Sequence, residues 1–96
     1  MTAHQTYAEA MAATLQDWSR RIADLRARAG RADGEQQLLV SRHLAILHYQ
    51  WQDYETQMHD TRAPGAAPLP EMRANAERMV AEFERIFAQA ASRFAS

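Results

Sequence analysis

Apolar residues recur along three stretches of this chain at alternating spacings of three and four. The first row is Met11, Leu15, Trp18, Ile22, Leu25 and Ala29. The second is Val40, Leu44, Leu47, Trp51, Tyr54 and Met58. The third is Leu69, Met72, Ala76, Met79, Phe83, Ile86 and Ala90. A helix turns once in ~3.6 residues, so this spacing lines one helix face, whereas a strand would need a period of two. The repeat is the heptad seam by which helices pack on one another. No stretch has the period of a strand.

Two punctuated segments separate the rows. Arg28 to Glu35 carries two glycines around an aspartate, and Thr61 to Pro70 holds all three prolines. Proline lacks the amide that continues a helix, and glycine weakens it. The pattern predicts helices over 4–29, 34–61 and 70–94. For the first, Thr6 with Glu9 forms a candidate capping box, and Thr2 with Gln5 is an alternative one turn earlier. Gly30 is expected to end it in a left-handed conformation. Asp33 with Gln36 fits the start of the second, and Pro70 followed by Glu71 fits the first turn of the third. Three long helices with short connections must fold back on themselves. The expected fold is therefore all-α, an antiparallel three-helix bundle forming a single domain over 1–96.

Composition agrees and removes several chemistries. Alanine is abundant and β-branched residues are scarce, which favours helix. There is no cysteine, so disulfides, thiolate metal sites and thiol catalysis are excluded. All 11 basic residues are arginine. Without lysine, Schiff-base chemistry is excluded. The comparison on size with a small all-α chorismate mutase, which relies on a lysine, fails for the same reason. The net charge of −1 argues against nonspecific nucleic-acid binding. No signal-peptide pattern and no apolar run near the ~20 residues of a membrane span is visible, so the expected location is cytoplasmic.

Two segments carry a resemblance. Leu15 to Ala29, "LQDWSRRIADLRARA", and Glu82 to Phe94, "EFERIFAQAASRF", resemble small bacterial coiled-coil domain-containing proteins of uncharacterised function. The matching positions are Trp18, Ile22, Leu25, Phe87, Ala90, Ser92, Arg93 and Phe94, and the resemblance covers about a third of the chain. The middle helix departs from that pattern in being richer in aromatics and histidine. The resemblance implies a helical bundle and no particular activity.

The segment Arg42 to His59 has the most reactive side chains. On a helix it divides into three strips. Leu44, Leu47, Trp51, Tyr54 and Met58 belong to the core seam. His48, Gln52, Glu55 and His59 share a polar flank. Glu55 and His59, one turn apart, are the candidate metal ligands read from the spacing, and a tetrahedral site would need further ligands from another helix, such as Asp17 or Glu77. His48 lies roughly 16 Å along the axis from His59, too far to share an ion. His43 is expected to pack or cap, and His4 to sit near a frayed end. Glu82/Glu84 and Asp53/Glu55 are two apart and do not face each other, so neither forms an acid–base dyad. Asp17/Arg21 and Asp24/Arg28 have ordinary surface-pair spacing. No catalytic residue and no cofactor is expected.

The third strip points away from the seam. Leu39, Ile46 and Tyr49, with Leu38 beside them, form a row of large apolar residues on the outside of the middle helix. Such a row marks an interface. The expected function is a non-enzymatic structural or protein-interaction module that self-associates through this face, as a homodimer, with another protein as the alternative partner. A second row, Val80, Phe87 and Phe94, widens the apolar face of the third helix. It is expected to be half-buried against a neighbouring helix. Were it free, it would suit an amphipathic lipid- or polymer-surface binder. The few basic residues of the middle helix count against an anionic membrane. A metal-binding protein is the remaining alternative.

Overall fold

The computed structural model describes residues 2–94, which form three α-helices and a short 3-10 turn: α1 (Ala3–Gly30), α2 (Gly34–Arg62), α3 (Leu69–Ala91) and the turn Ser92–Phe94. They make a rod of 48 × 18 × 18 Å, close to the ~42 Å that 28 residues span as helix. The fold is the all-α three-helix bundle that the heptad pattern predicts.

Side-chain bonds between helices give the register. The Trp51 indole N–H donates to the Leu15 carbonyl at 3.0 Å, and the Gln37 amide donates to the Gly30 carbonyl, so α1 and α2 run antiparallel. Gln36 reaches the carbonyl of Arg93, and Gln57 reaches the sulfur of Met72, so α2 and α3 are also antiparallel. That leaves α1 and α3 parallel. His4 meets Ala67, just before α3 begins, and Arg21 meets Glu84 within it, each 63 residues apart, as a shared register of parallel helices requires.

The termini follow their local chemistry. Thr2, not Thr6, caps α1: its hydroxyl accepts from the Gln5 amide while the Gln5 side chain accepts from the Thr2 amide. The reciprocal pair satisfies two amides that helix geometry leaves free. Asp33 caps α2 by accepting from the Gln36 amide at 3.0 Å. α3 begins without a side-chain cap, with Pro70 in its first turn. Gly30 does not adopt the expected left-handed conformation. It is the last helical residue of α1, and Arg31 follows with φ −100° and ψ −4°. Among the described residues the one left-handed glycine is Gly65, φ 78°, in the turn between α2 and α3.

The core is the three seams with few departures. All six seam residues of α1 are buried. Leu44 and Trp51 of α2 and Leu69 and Met79 of α3 are half-buried, because a rod of three helices leaves the flanks of each seam open to water. Trp18 sits at the centre, stacked on Phe83 and 4.7 Å from Tyr54, so one aromatic cluster joins all three helices. Ala8 and Thr61 complete the buried set beyond the seams. The Thr61 hydroxyl donates to the Gln57 carbonyl at 2.8 Å, which satisfies its polar group at little cost.

The second row on α3 is accounted for within the bundle. Val80, Phe87 and Phe94 are half-buried and packed against the core. Phe87 lies near Phe83, with the Arg21 guanidinium over its ring. Arg93, at the next seam position, is exposed.

Candidate interaction surface

The inner face of α2 is occupied, and its outer face is not. Among the described residues, Leu38, Ile46 and Tyr49 are the exposed large hydrophobic ones, at 61%, 45% and 67% of full exposure. Two of the three residues expected on this face, Ile46 and Tyr49, therefore lie on it as open side chains. Leu39 differs: it is half-buried, and the more open neighbour is Leu38. Leu39 is nevertheless not among the apolar residues packed against the core. By helix geometry Leu39 falls on the side of α2 from which Gln36 and Gln57 reach Arg93 and Met72, while Leu38 and Tyr49 fall opposite the seam. Spacing alone does not separate these neighbours, since both leucines lie outside the seam.

Beside this row runs a groove of about 410 Å³ between α2 and α3, lined by Gln50, Asp53 and Gln57 on one wall and Asn75, Arg78, Met79 and Glu82 on the other. The Oε1 of Gln50 is buried there without a hydrogen-bond partner in the chain. The Arg78 guanidinium donates to the Asn75 side chain. Hydrogen bonding from Arg85 holds the Glu82 carboxyl below its ordinary range, opposed by slight desolvation. Glu82 is thus an ionised partner of a surface arginine and not a proton donor near neutrality. Glu84 turns to the opposite side of α3 and binds Arg21 at 2.7 Å. The two glutamates, two residues apart, serve separate ion pairs, as the helix geometry requires.

The histidines are dispersed. His48 meets only the side chain of Gln52 one turn on, and His43 hydrogen-bonds through Nδ1 to the Leu39 carbonyl. His4 is not loose: its Nε2 lies 2.9 Å from the Ala67 carbonyl, tying the start of α1 to the α2–α3 turn. Glu55 is half-buried and His59 exposed on the polar flank. Among the described residues no group of three histidine or carboxylate side chains could hold a metal ion around them or elsewhere.

Tyr54, deep in the seam, has its phenol pushed above the ordinary value by burial, with hydrogen bonding to Thr14 opposing. A buried tyrosine held neutral suits a packing role. Trp51 is half-buried and donates across to α1, which makes it a clamp between helices.

One grouping joins the basic end of α1 to residues that the spacing argument places on a separate helix. Arg28 and Arg31 from the end of α1 share a cleft with Arg93 and Phe94 from the end of α3. Only the i↔i+63 register of α1 and α3 brings them to one end of the rod. Among the described residues no helix is long and apolar enough to cross a membrane. No protein-family model matches the chain, and neither does any curated protein or solved structure, so its function is argued from its own surface.

Proposed function

We propose that this chain is a non-enzymatic helical bundle, a structural or protein-interaction module that associates with a second copy of itself through the outer face of α2. The observation that carries the reading is the exposure of Leu38, Ile46 and Tyr49 together on a helix whose opposite face already fills the core. Burying one such side chain is worth about 1.5–3 kcal/mol, so covering the row supplies a driving force for association. Tyrosine is also among the residues that contribute most at interfaces. A surface-binding role has less support, because the wide face of α3 that would serve it is packed within the bundle.

Replacing Ile46 with glutamate tests the reading. The side chain is exposed, so at concentrations low enough for both chains to be monomeric the change should leave helix content and unfolding midpoint nearly unaltered, within about 0.5 kcal/mol. Light scattering on a sizing column should then show a dimer for the native chain and a monomer for Ile46→Glu. A native monomer, or a variant that remains fully dimeric, refutes the reading.

A further inference from the structure

If two copies meet through α2, as proposed above, the outer face of that helix also fixes how they meet. Leu39, Arg42, Ile46, Tyr49, Asp53 and Thr56 follow one another at spacings of three and four, a second heptad stripe alongside the core seam. All but Leu39 are exposed. The stripe has one arginine and one aspartate, and they stand at equal distances from a point midway between Ile46 and Tyr49. Arg42 is four residues before Ile46, and Asp53 is four after Tyr49. Among the described residues, neither forms an ion pair within the chain. Asp53 shares its groove with Arg78 and Glu82 of α3, but it is not bridged to the arginine.

We propose that a second copy of this chain packs its α2 antiparallel on the first, about a two-fold axis between Ile46 and Tyr49, with Arg42 of each copy opposite Asp53 of the other. A two-fold interface is reciprocal: whatever residue i meets, the partner residue meets i in return. With this axis the stripe is self-complementary. Ile46 faces Tyr49 of the second copy twice at the centre, Arg42 faces Asp53 twice outside that, and Leu39 faces Thr56 at the ends. A parallel pairing in register sets Arg42 on Arg42 and Asp53 on Asp53, placing like charges together in both layers. A slip of one heptad in the antiparallel pairing puts Ile46 against Arg42, or Tyr49 against Asp53. Charge and apolar pattern therefore select the same arrangement independently.

One layer falls outside this match. Glu35 would face Asp60 of the second copy, about 19 Å along the helix from the axis. Helices in heptad packing cross at roughly 20°, so they have diverged at that distance and the like charges are held apart in water. The contacting stripe is roughly 26 Å long. That is a modest interface, so the dimer should be reversible and concentration-dependent.

Two charge reversals decide the matter. Arg42→Glu and Asp53→Arg each place two like-charge pairs in the dimer, and each should weaken self-association at least tenfold. Mixed in equal amounts, the two variants should form a one-to-one heterodimer, because every pair at the interface is then of opposite sign. Native mass spectrometry reads the homodimer and heterodimer masses directly. A native dimer whose single variants dimerise equally well, or whose mixed variants fail to recover it, overturns this arrangement and leaves self-association standing. A native chain that stays monomeric at every concentration overturns both.

Discussion

Trp18 of α1 and Phe83 of α3 stack face to face, with ring centroids 3.9 Å apart and planes 2° from parallel. Both are buried, and Tyr54 of α2 closes the cluster at a tilt of 48°. At this contact large aromatic side chains from all three helices converge. Trp18→Ala would empty a fully buried site, with an expected loss of about 3–5 kcal/mol. A domain of this size is stable by only about 5–15 kcal/mol, so the variant should unfold at a much lower urea concentration. Trp18→Phe keeps part of the stack and should lose less. A midpoint for Trp18→Ala close to the native one contradicts the placement of the cluster at the centre of the core.

The glycines separate by conformation. Gly65 has φ 78° in the α2–α3 turn, where a Cβ is strained, although the space around it is open. Gly65→Ala should destabilise by about 1 kcal/mol. Gly30 is helical, and a Cβ there meets nothing within 4 Å. Gly30→Ala should instead stabilise by about 0.4–1 kcal/mol, since alanine restricts the unfolded chain and suits a helix. Opposite signs in the two unfolding curves are the expected result.

Stability should fall at high pH. Burial, more than any other influence, raises the Tyr54 phenol above its ordinary value of 10.0, hydrogen bonding to Thr14 lowers it, and the nearby Tyr7 adds to the rise. Tyr7 is raised as well, by burial and then by Glu77, against the lowering effect of Arg73. In both cases the folded chain holds its proton more tightly than the unfolded one. Below about pH 10 both states are protonated and the full stability is present. As the pH rises through that value the unfolded chain ionises first, and stability is lost until the folded phenols ionise too. The urea midpoint should drop less between about pH 8 and 11 for Tyr54→Phe than for the native chain. Equal drops would contradict the buried, neutral Tyr54.

Much of the fold is legible in the residues. A heptad row specifies both the helix and the face it buries, and the glycine- and proline-bearing segments divide the rows. What the pattern leaves out depends on three-dimensional register. Ala8 and Thr61 are buried because α1 and α2 extend beyond their seams toward the same end of the rod. His4 is fixed because the α2–α3 turn passes beside it, and Arg93 joins Arg28 and Arg31 only through the alignment of α1 with α3. Thr2 and Thr6 offer similar caps, and the choice between them rests on one extra turn of helix. The outer face of α2 is half legible for a related reason. Periodicity says which residues leave the seam, but whether Leu38 or Leu39 is the more open depends on where α3 lies beside them.

The central claim is that the outer face of α2 binds a second copy of the chain, and sedimentation equilibrium of the untagged protein over a range of concentrations tests it most directly. The account predicts a mass rising reversibly from that of a single 10.9 kDa chain toward twice that value. A mass that stays at one chain throughout would contradict it.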